Sequence, residues 1–450
     1  MREYSGLLTD LYELTMAAGY WQTRFDARAT FEIFVRHLPP RRNYLVAAGL
    51  EQAQEFLERV NFTAEEIAYL RGHPFFRNIQ PEFFDYLAKF RFTGDVWAMP
   101  EGTLVFPGEP VMRVTAPIIE AQILETYLLA TLSYETMIAS KAARIFTAAQ
   151  GRMVVDFSAR RAHGGPASLL SARASVVGGC DGTSNTLAGQ LFGIRTYGTQ
   201  AHSWVMAHEI ESDAFSHFLE SFPEGSVLLV DTYDVRNAVK TIISMKRKPA
   251  GIRLDSGDML ADSRWARREL DRAGWKDVKV FASGDLDEYR IAKLLAAGAA
   301  IDAFGVGTAL STPGDAPHLN LIYKLVEVER DGKIREAAKF SHSKVTYPGR
   351  KQVFRRSSRA GEYESDTIAI EDEAPNGGEP LLLEFMRDGK RVAAPEPIAA
   401  LRERCIAGLA RLPKRYRQIH RKAAYPVHHS KRLRGLLEKV RESVRRSAVK

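Results

Sequence analysis

Near the middle of the 450-residue chain, the stretch GTQAHSW places His202 between a Gly-Thr turn and a short apolar run. An imidazole is mostly neutral near pH 7, so it can fill a core, ligate a metal, move a proton or accept a group on nitrogen. Further along, Asp231 in VLLVDTYD and Asp255 and Asp258 in GIRLDSGD supply acceptors for ribose hydroxyls, Mg2+ or an imidazole N–H. Gly284 and Asp285 in ASGDL, and Gly305, Gly307 and Thr308 in FGVGT, stand where backbone N–H groups can approach an anion closely. Arg160 and Arg161 in FSARR add guanidinium groups suited to phosphate. Any one of these is an ordinary turn residue. As a set they are the parts of a sugar-phosphate site.

The elements that position them repeat. Short apolar runs (MVVDFSARR, IRTYGTQAH, SVLLVDTYD, AGIRLDSGD, VKVFASGDL, AIDAFGVGT) each end in polar or glycine residues, and helix-like segments follow. From Asp231 to Asp255, Ser283 and Gly305 the steps are 24, 28 and 22 residues, one strand–loop–helix unit each. The gap from Asp156 to Thr199 holds another unit carrying GCDGTSNT. Such alternation predicts a parallel sheet buried on both faces, with chemistry at the strand C-terminal ends. The fold class expected is α/β: an irregular TIM-like barrel over residues 116–325, with an open doubly wound sheet as the competitor. Residues 1–115 mix helices with strands such as ATFEIFVRHLP. Residues 326–450 continue a hairpin turning at Asp331-Gly332, add strand-like pieces and end in a basic helix. Both chain ends are expected to build one α+β domain beside the barrel.

Composition narrows the function. The hydrophobic fraction of 45% and aromatic fraction of 10% belong to a folded globular protein. Two distant cysteines, Cys180 and Cys405, with no CxxC, exclude a disulfide framework and a cysteine zinc site and fit a reducing cytoplasm. The acidic start MREYSGLLTDLYELTM is not a signal peptide, and no apolar run is long enough to cross a bilayer. The net charge of +8 resides in the tail: residues 411–450 carry 14 Lys/Arg against Glu438 and Glu442, which leaves −4 on the rest. A basic last helix reads as a solvated face, and no nucleic-acid motif accompanies it, so nucleic acid is not expected as a partner. There is no GxxxxGK[ST], GVGTAL lacks the third Rossmann glycine, His208-Glu209 has no second histidine, and no GxSxG occurs.

With these residues in view, the chain resembles the nicotinate phosphoribosyltransferases through most of its length. The stretches that carry the resemblance include LLTDLYELTMAAGYW, PEGTLVFPGEPVMRV, VDFSARRAHG, GGCDGTSNTLAGQLFGI, YGTQAHSWV, VLLVDTYD, GIRLDSGDM and DAFGVGT. The resemblance implies transfer of the phosphoribosyl group of phosphoribosyl pyrophosphate (PRPP) to nicotinate, with Mg2+, and with ATP as co-substrate hydrolysed through a phosphohistidine. It also implies a homodimer with the active site at the interface. Residue by residue it makes His202 the phosphorylated histidine, Asp231 the carboxylate that orients it and Asp255 a ribose-side carboxylate. Thr199, Arg253, Phe157 and the partner's Tyr12 become nicotinate contacts, and Arg160, Thr308 and the glycines at 284, 305 and 307 the PRPP or phosphate side. The Mg2+ ligands are left unassigned. Where the related nicotinamide enzyme carries an acid, this chain reads GTSNT with neutral Ser184 and Asn185, which favours a carboxylate ligand over an amide. The alternatives are a nicotinamide or quinolinate transferase, a sugar-phosphate barrel enzyme of other specificity, and a nucleic-acid binder acting through its tail.

Overall fold

Strand Arg28–Val35 carries Ala29, Phe31, Ile33, Phe34 and Val35 and is buried along most of its length. It pairs antiparallel with Pro110–Pro117 on one side and with Leu321–Arg330 on the other, so one sheet is built from both ends of the chain. The structure, a computed structural model, describes residues 4–341 and 344–448. The chain clusters into two compact units. One comprises Met1–Met137, His318–Pro397 and Ala407–Lys450, and the other Ile138–Pro317 with Ile398–Ile406.

In the first unit the seven-stranded sheet contains the expected hairpin, Leu321–Arg330 turning at Asp331 and Gly332 into Lys333–Glu336. Asp331 and Gly332 both take positive φ there, as a tight two-residue turn requires. A second sheet joins Lys351–Ser357, Tyr363–Ile370, Glu379–Pro380 and Val427–His429. The basic end is helix Lys431–Ala448. Leu433, Leu437 and Val440 recur at helical spacing and are buried, which leaves most of its arginines on the open side. No helix among the described residues is long and apolar enough to cross a membrane.

The second unit has six strands: β1 (Met153–Asp156), β2 (Gly182–Thr183), β3 (Val227–Leu229), β4 (Gly251–Leu254), β5 (Lys279–Ala282) and β6 (Ala303–Val306). All pair in parallel, in the order β2-β1-β6-β5-β4-β3. The fold is α/β. The last strand lies beside the first, which is the cyclic order of a barrel and not the strand reversal of a doubly wound sheet. Thr196 bridges to Thr183 and extends the β2 edge, and among the described residues no pairing joins that edge to β3. Helices Glu211–Ser221, Val235–Ser244 and Met259–Arg272 cover one face of β3 to β5. There Phe215, Val239, Ile242 and Leu270 pack with Leu228, Ile252 and Val280.

Residues 398–406, read from sequence as part of the end domain, sit in this parallel-sheet unit. Arg402 donates to the carbonyls of Gly179 and Cys180 (3.2 and 2.9 Å) and pairs with Asp181 at 2.7 Å. Those contacts satisfy carbonyls at the turn before β2 that have no strand partner. Cys180 and Cys405 are both buried free thiols.

Candidate active site

The same local pattern builds the loops after β3, β4 and β5. A polar residue follows the strand, and a second one a few positions later caps the next helix. Asp234 accepts the Asn237 N–H at 2.8 Å, Asp258 the Leu260 and Ala261 N–H groups at 3.1 Å, and Asp287 the Arg290 N–H at 2.7 Å. Asp258, read from sequence as a possible ligand acceptor, is therefore a helix cap. The earlier residue of each pair, Asp231 or Asp255, is left for the site.

His202 opens the short helix His202–Met206, and its side chain is 39% exposed. Its Nδ1 lies 3.1 Å from the Thr232 hydroxyl, and its Nε2 lies 3.8 Å from Asp255 Oδ2. Asp231, expected to orient this ring, instead accepts the Asp255 N–H at 3.1 Å and the Ser256 hydroxyl at 2.5 Å through Oδ2. Its buried Oδ1 has no hydrogen-bond partner among the described residues. Asp255 also accepts from the Ser283 hydroxyl. The imidazole therefore ends a chain of hydroxyls and carboxylates. Thr232 and Ser256 were not singled out in the sequence, where their only signal is adjacency to the two acids, and Ser283 figured there only as a strand-end marker.

Arg253 is the third residue of β4, and its guanidinium donates to the Thr199 hydroxyl. Burial pulls its pKa below the usual guanidinium range and nearby Arg160 adds to this, while Asp255 and Asp231 work in the opposite direction. Among the described residues its buried Nε has no partner, and neither amide atom of buried Gln200 has one. Buried polar atoms without partners are rare, and several lie within this one group of residues. Arg160 itself is exposed.

Phe157 follows β1 and donates its N–H to the Val306 carbonyl at 2.9 Å. A side chain on Gly305 would place Cβ 2.3 Å from the Phe157 ring. Gly305 is buried in β6, so packing against that ring accounts for the missing side chain, where an open phosphate cradle was expected. A Cβ on Gly307 would lie 3.2 Å from the Phe157 carbonyl oxygen. Gly284 has φ +86°, and its missing side chain admits the Asp255 carbonyl oxygen. Thr308 starts the short helix Thr308–Ser311 and is exposed.

The loops after β5 and β6 are tied from behind by a buried ion network. Lys141 lies 2.6 Å from Glu288 and 3.0 Å from Asp315, and Arg144 lies 2.9 Å from Glu288. Burial pushes the Glu288 carboxyl up, but Lys141 and Arg144 outweigh it and hold its pKa below the usual value. In the neutral GTSNT turn, Asn185 caps helix Thr186–Phe192 by accepting the Ala188 N–H at 3.1 Å, while Ser184 is exposed.

Tyr12 belongs to the other unit, on helix Leu11–Gln22, and is 48% exposed. Next to it, burial pushes the Glu13 carboxyl up to about 7, although the Thr9 and Thr126 hydroxyls favour its charged form. Among the described residues no group of three His, Cys, Asp or Glu forms a metal cage.

Comparison with known proteins gives this geometry a class. Three segments match the nicotinate phosphoribosyltransferase (NAPRTase) family: its N-terminal domain over residues 7–133, the family core over 153–361 and its C-terminal domain over 375–437. The chain is 45% identical to the nicotinate phosphoribosyltransferase pncB2 of Mycobacterium tuberculosis, over 98% of this chain and 96% of that one. It is 44% identical to the nicotinate phosphoribosyltransferase of Bacillus subtilis, over 82% and 77%. The crystal structure of human nicotinic acid phosphoribosyltransferase superposes with a TM-score of 0.82 at 28% identity, covering 96% of this chain and 99% of the human one. The chain belongs to the nicotinate phosphoribosyltransferase family.

Proposed function

We propose that the chain joins nicotinate to the ribosyl carbon of PRPP, giving nicotinate mononucleotide for NAD synthesis and releasing pyrophosphate, with ATP hydrolysis coupled through phosphorylated His202. The observation that carries this reading is the convergence of Arg253, Thr199, His202 and Asp255 at the strand ends of a chain in this family.

Each residue has a task the chemistry requires. The pyridine nitrogen of nicotinate already carries a lone pair, so it needs placing against the anomeric carbon and no deprotonation. Arg253 meets its carboxylate, and Phe157 lies against one face of its ring. Tyr12 of the partner subunit covers the other face in a homodimer. As the new C–N bond forms, the bond to pyrophosphate breaks through an oxocarbenium-like state. Arg160 and the backbone N–H groups around Gly284, Gly307 and Thr308 take up the charge on the leaving group. Asp231, whose Oδ1 has no hydrogen-bond partner among the described residues, would hold a Mg2+ that arrives with the diphosphate. When bound, that ion neutralises leaving-group charge.

The imidazole of His202 accepts the γ-phosphoryl group of ATP, ADP departs, and water later takes the phosphoryl group as phosphate. Thr232 and Asp255 hold the ring and balance the positive charge it gains on attack. ATP and PRPP use the same phosphate-side loops in turn. The exposed, neutral Ser184 favours nicotinate over nicotinamide, because no acid stands there to repel a carboxylate. Two buried thiols without a disulfide suit a cytoplasmic enzyme.

The test is mass spectrometry of products after incubation with nicotinate, PRPP, ATP and Mg2+. Nicotinate mononucleotide, pyrophosphate, ADP and phosphate are expected. Product only when nicotinamide or quinolinate replaces nicotinate would overturn the reading.

A further inference from the structure

We infer that Asp156 is a positioning residue for the pyridine half of the site, fastening the turn that carries Phe157 to the turn that carries Ser184. The inference rests on the functional reading above, because it assigns these two turns to the nicotinate ring.

Asp156 is the last residue of β1 and is fully buried. Its Oδ1 accepts the Ser158 N–H at 2.9 Å, and its Oδ2 accepts the Thr183 hydroxyl at 2.7 Å. Its backbone carbonyl accepts the Ser184 N–H at 2.8 Å. The Thr183 oxygen in turn accepts the Asn185 N–H at 3.0 Å. One aspartate thus spans the residues on both sides of Phe157 and the whole Thr183–Asn185 turn. The Phe157 backbone is held a second time by Val306, and its ring a third time by the space that Gly305 leaves.

A buried carboxylate is costly unless it is paired. Burial pushes the Asp156 carboxyl up, and only uncharged donors, on Ser158 and Thr183, work against it. The groups that offset its burial are all uncharged, whereas Lys141 and Arg144 offset the burial of Glu288. The preceding positions, Val154 and Val155, show what a strand chosen for burial alone carries. Two other carboxylates provide an internal contrast. Asp181 Oδ2 accepts the Val154 N–H and Asp302 Oδ2 accepts the Val280 N–H, both at 2.8 Å, at the N-terminal ends of their strands and away from the site. Those two are partly exposed. Asp156 alone of the three is sealed, and it stands at the end where the chemistry is.

Full-length wild type is compared with Asp156→Ala, Asp156→Asn, Thr183→Val and, as a structural control, Asp302→Ala. Asp156→Ala and Thr183→Val should raise KM for nicotinate about 10- to 100-fold, the factor that goes with one lost charge-assisted hydrogen bond. KM for PRPP should change by less than about threefold, and the preference for nicotinate over nicotinamide should narrow by about the same factor as the nicotinate KM rises. Asp156→Asn should recover most of the loss, because its amide oxygen still accepts from Ser158 and its NH2 can donate to the Thr183 oxygen. Asp302→Ala should lower the melting temperature without separating the two KM values. Equal rises in both KM values, or a nicotinate-specific rise in Asp302→Ala as well, would overturn the inference.

Thr183→Val preserves shape, so it carries the test should Asp156→Ala not fold. Hydrogen exchange in Thr183→Val should rise together over residues 157–161 and 183–187, and a rise confined to one turn overturns the tie. That readout needs no turnover. It therefore stays decisive even if wild type makes no nicotinate mononucleotide, an outcome that would overturn the functional reading alone.

Discussion

At the ends of β1 and β2 the Asp156 carboxylate and the Thr183 hydroxyl are buried and partnered. At the ends of β3 and β4 the groups around His202 are partly exposed, and among the described residues Asp231 Oδ1 and Arg253 Nε have no partner. On the first flank Asp156, Thr183, Val306 and Gly305 hold Phe157 from several directions. On the second, His202 has one hydroxyl at hydrogen-bond distance and one carboxylate beyond it. A flat ring that must meet the sugar at one angle calls for the first kind of environment. An imidazole that takes and releases a phosphoryl group calls for the second, because its surroundings must accommodate both states. Under the proposed function, the difference in satisfaction follows from the difference in task.

The largest effect should come from the open flank. His202→Ala should cut ATP hydrolysis linked to turnover by about three orders of magnitude or more, as removal of a covalent group does elsewhere. Acid-labile, base-stable label from γ-labelled ATP should appear on wild type and vanish in the variant. Nucleotide formation from PRPP without ATP should persist, because the ring-holding flank is untouched. Its complete loss would break the division between the flanks. Next in size, Arg253→Ala should raise KM for nicotinate about 100-fold, the scale of a lost hydrogen-bonded charge pair, with little change for PRPP. Equal effects in steady-state kinetics would count against its role. Gly305→Ala should cost about 1–3 kcal/mol of stability in thermal denaturation, since the added methyl meets the Phe157 ring. It should also weaken nicotinate binding. A variant that binds nicotinate normally would detach Gly305 from the pyridine side.

Much of this layout was legible in the sequence. The strand–loop–helix rhythm from Asp231 to Gly305 set out the parallel sheet, and Asp231, Asp255, Ser283 and His202, which end such runs, lie within one linked group. Four features were not legible, for physical reasons. Asp231 and Asp234, like Asp255 and Asp258, are the same letters three apart. Which member caps a helix depends on where the helix begins, and spacing alone leaves that undecided. Gly305 reads as a place for an anion until the ring of Phe157, about 150 residues earlier in the chain, is seen to occupy its missing side chain. Arg402 serves carbonyls before β2 from a helix more than 200 residues later, and no local pattern announces so distant a contact. The hydroxyls of Thr232 and Ser283 were overlooked for a related cause: a threonine or serine at a turn has no distinctive spacing, and only the partner across the loop makes it part of a site.

Thr232→Val is the smallest change and the finest test of the contrast. The valine keeps the shape of the side chain and removes the Thr232 hydroxyl at hydrogen-bond distance from His202. If that hydroxyl orients the ring, kcat for ATP hydrolysis should fall about fivefold, near the net worth of one neutral hydrogen bond. KM for nicotinate should stay as it is, because Arg253 and Phe157 keep their own contacts. A residue on the crowded flank should behave oppositely, since displacing Phe157 changes nicotinate binding and leaves phosphoryl transfer alone. The two responses are separable in one pair of assays on one set of variants. Should Thr232→Val shift nicotinate KM as much as ATP turnover, the flanks would be mechanically coupled, and the openness around His202 would need a cause other than phosphoryl exchange.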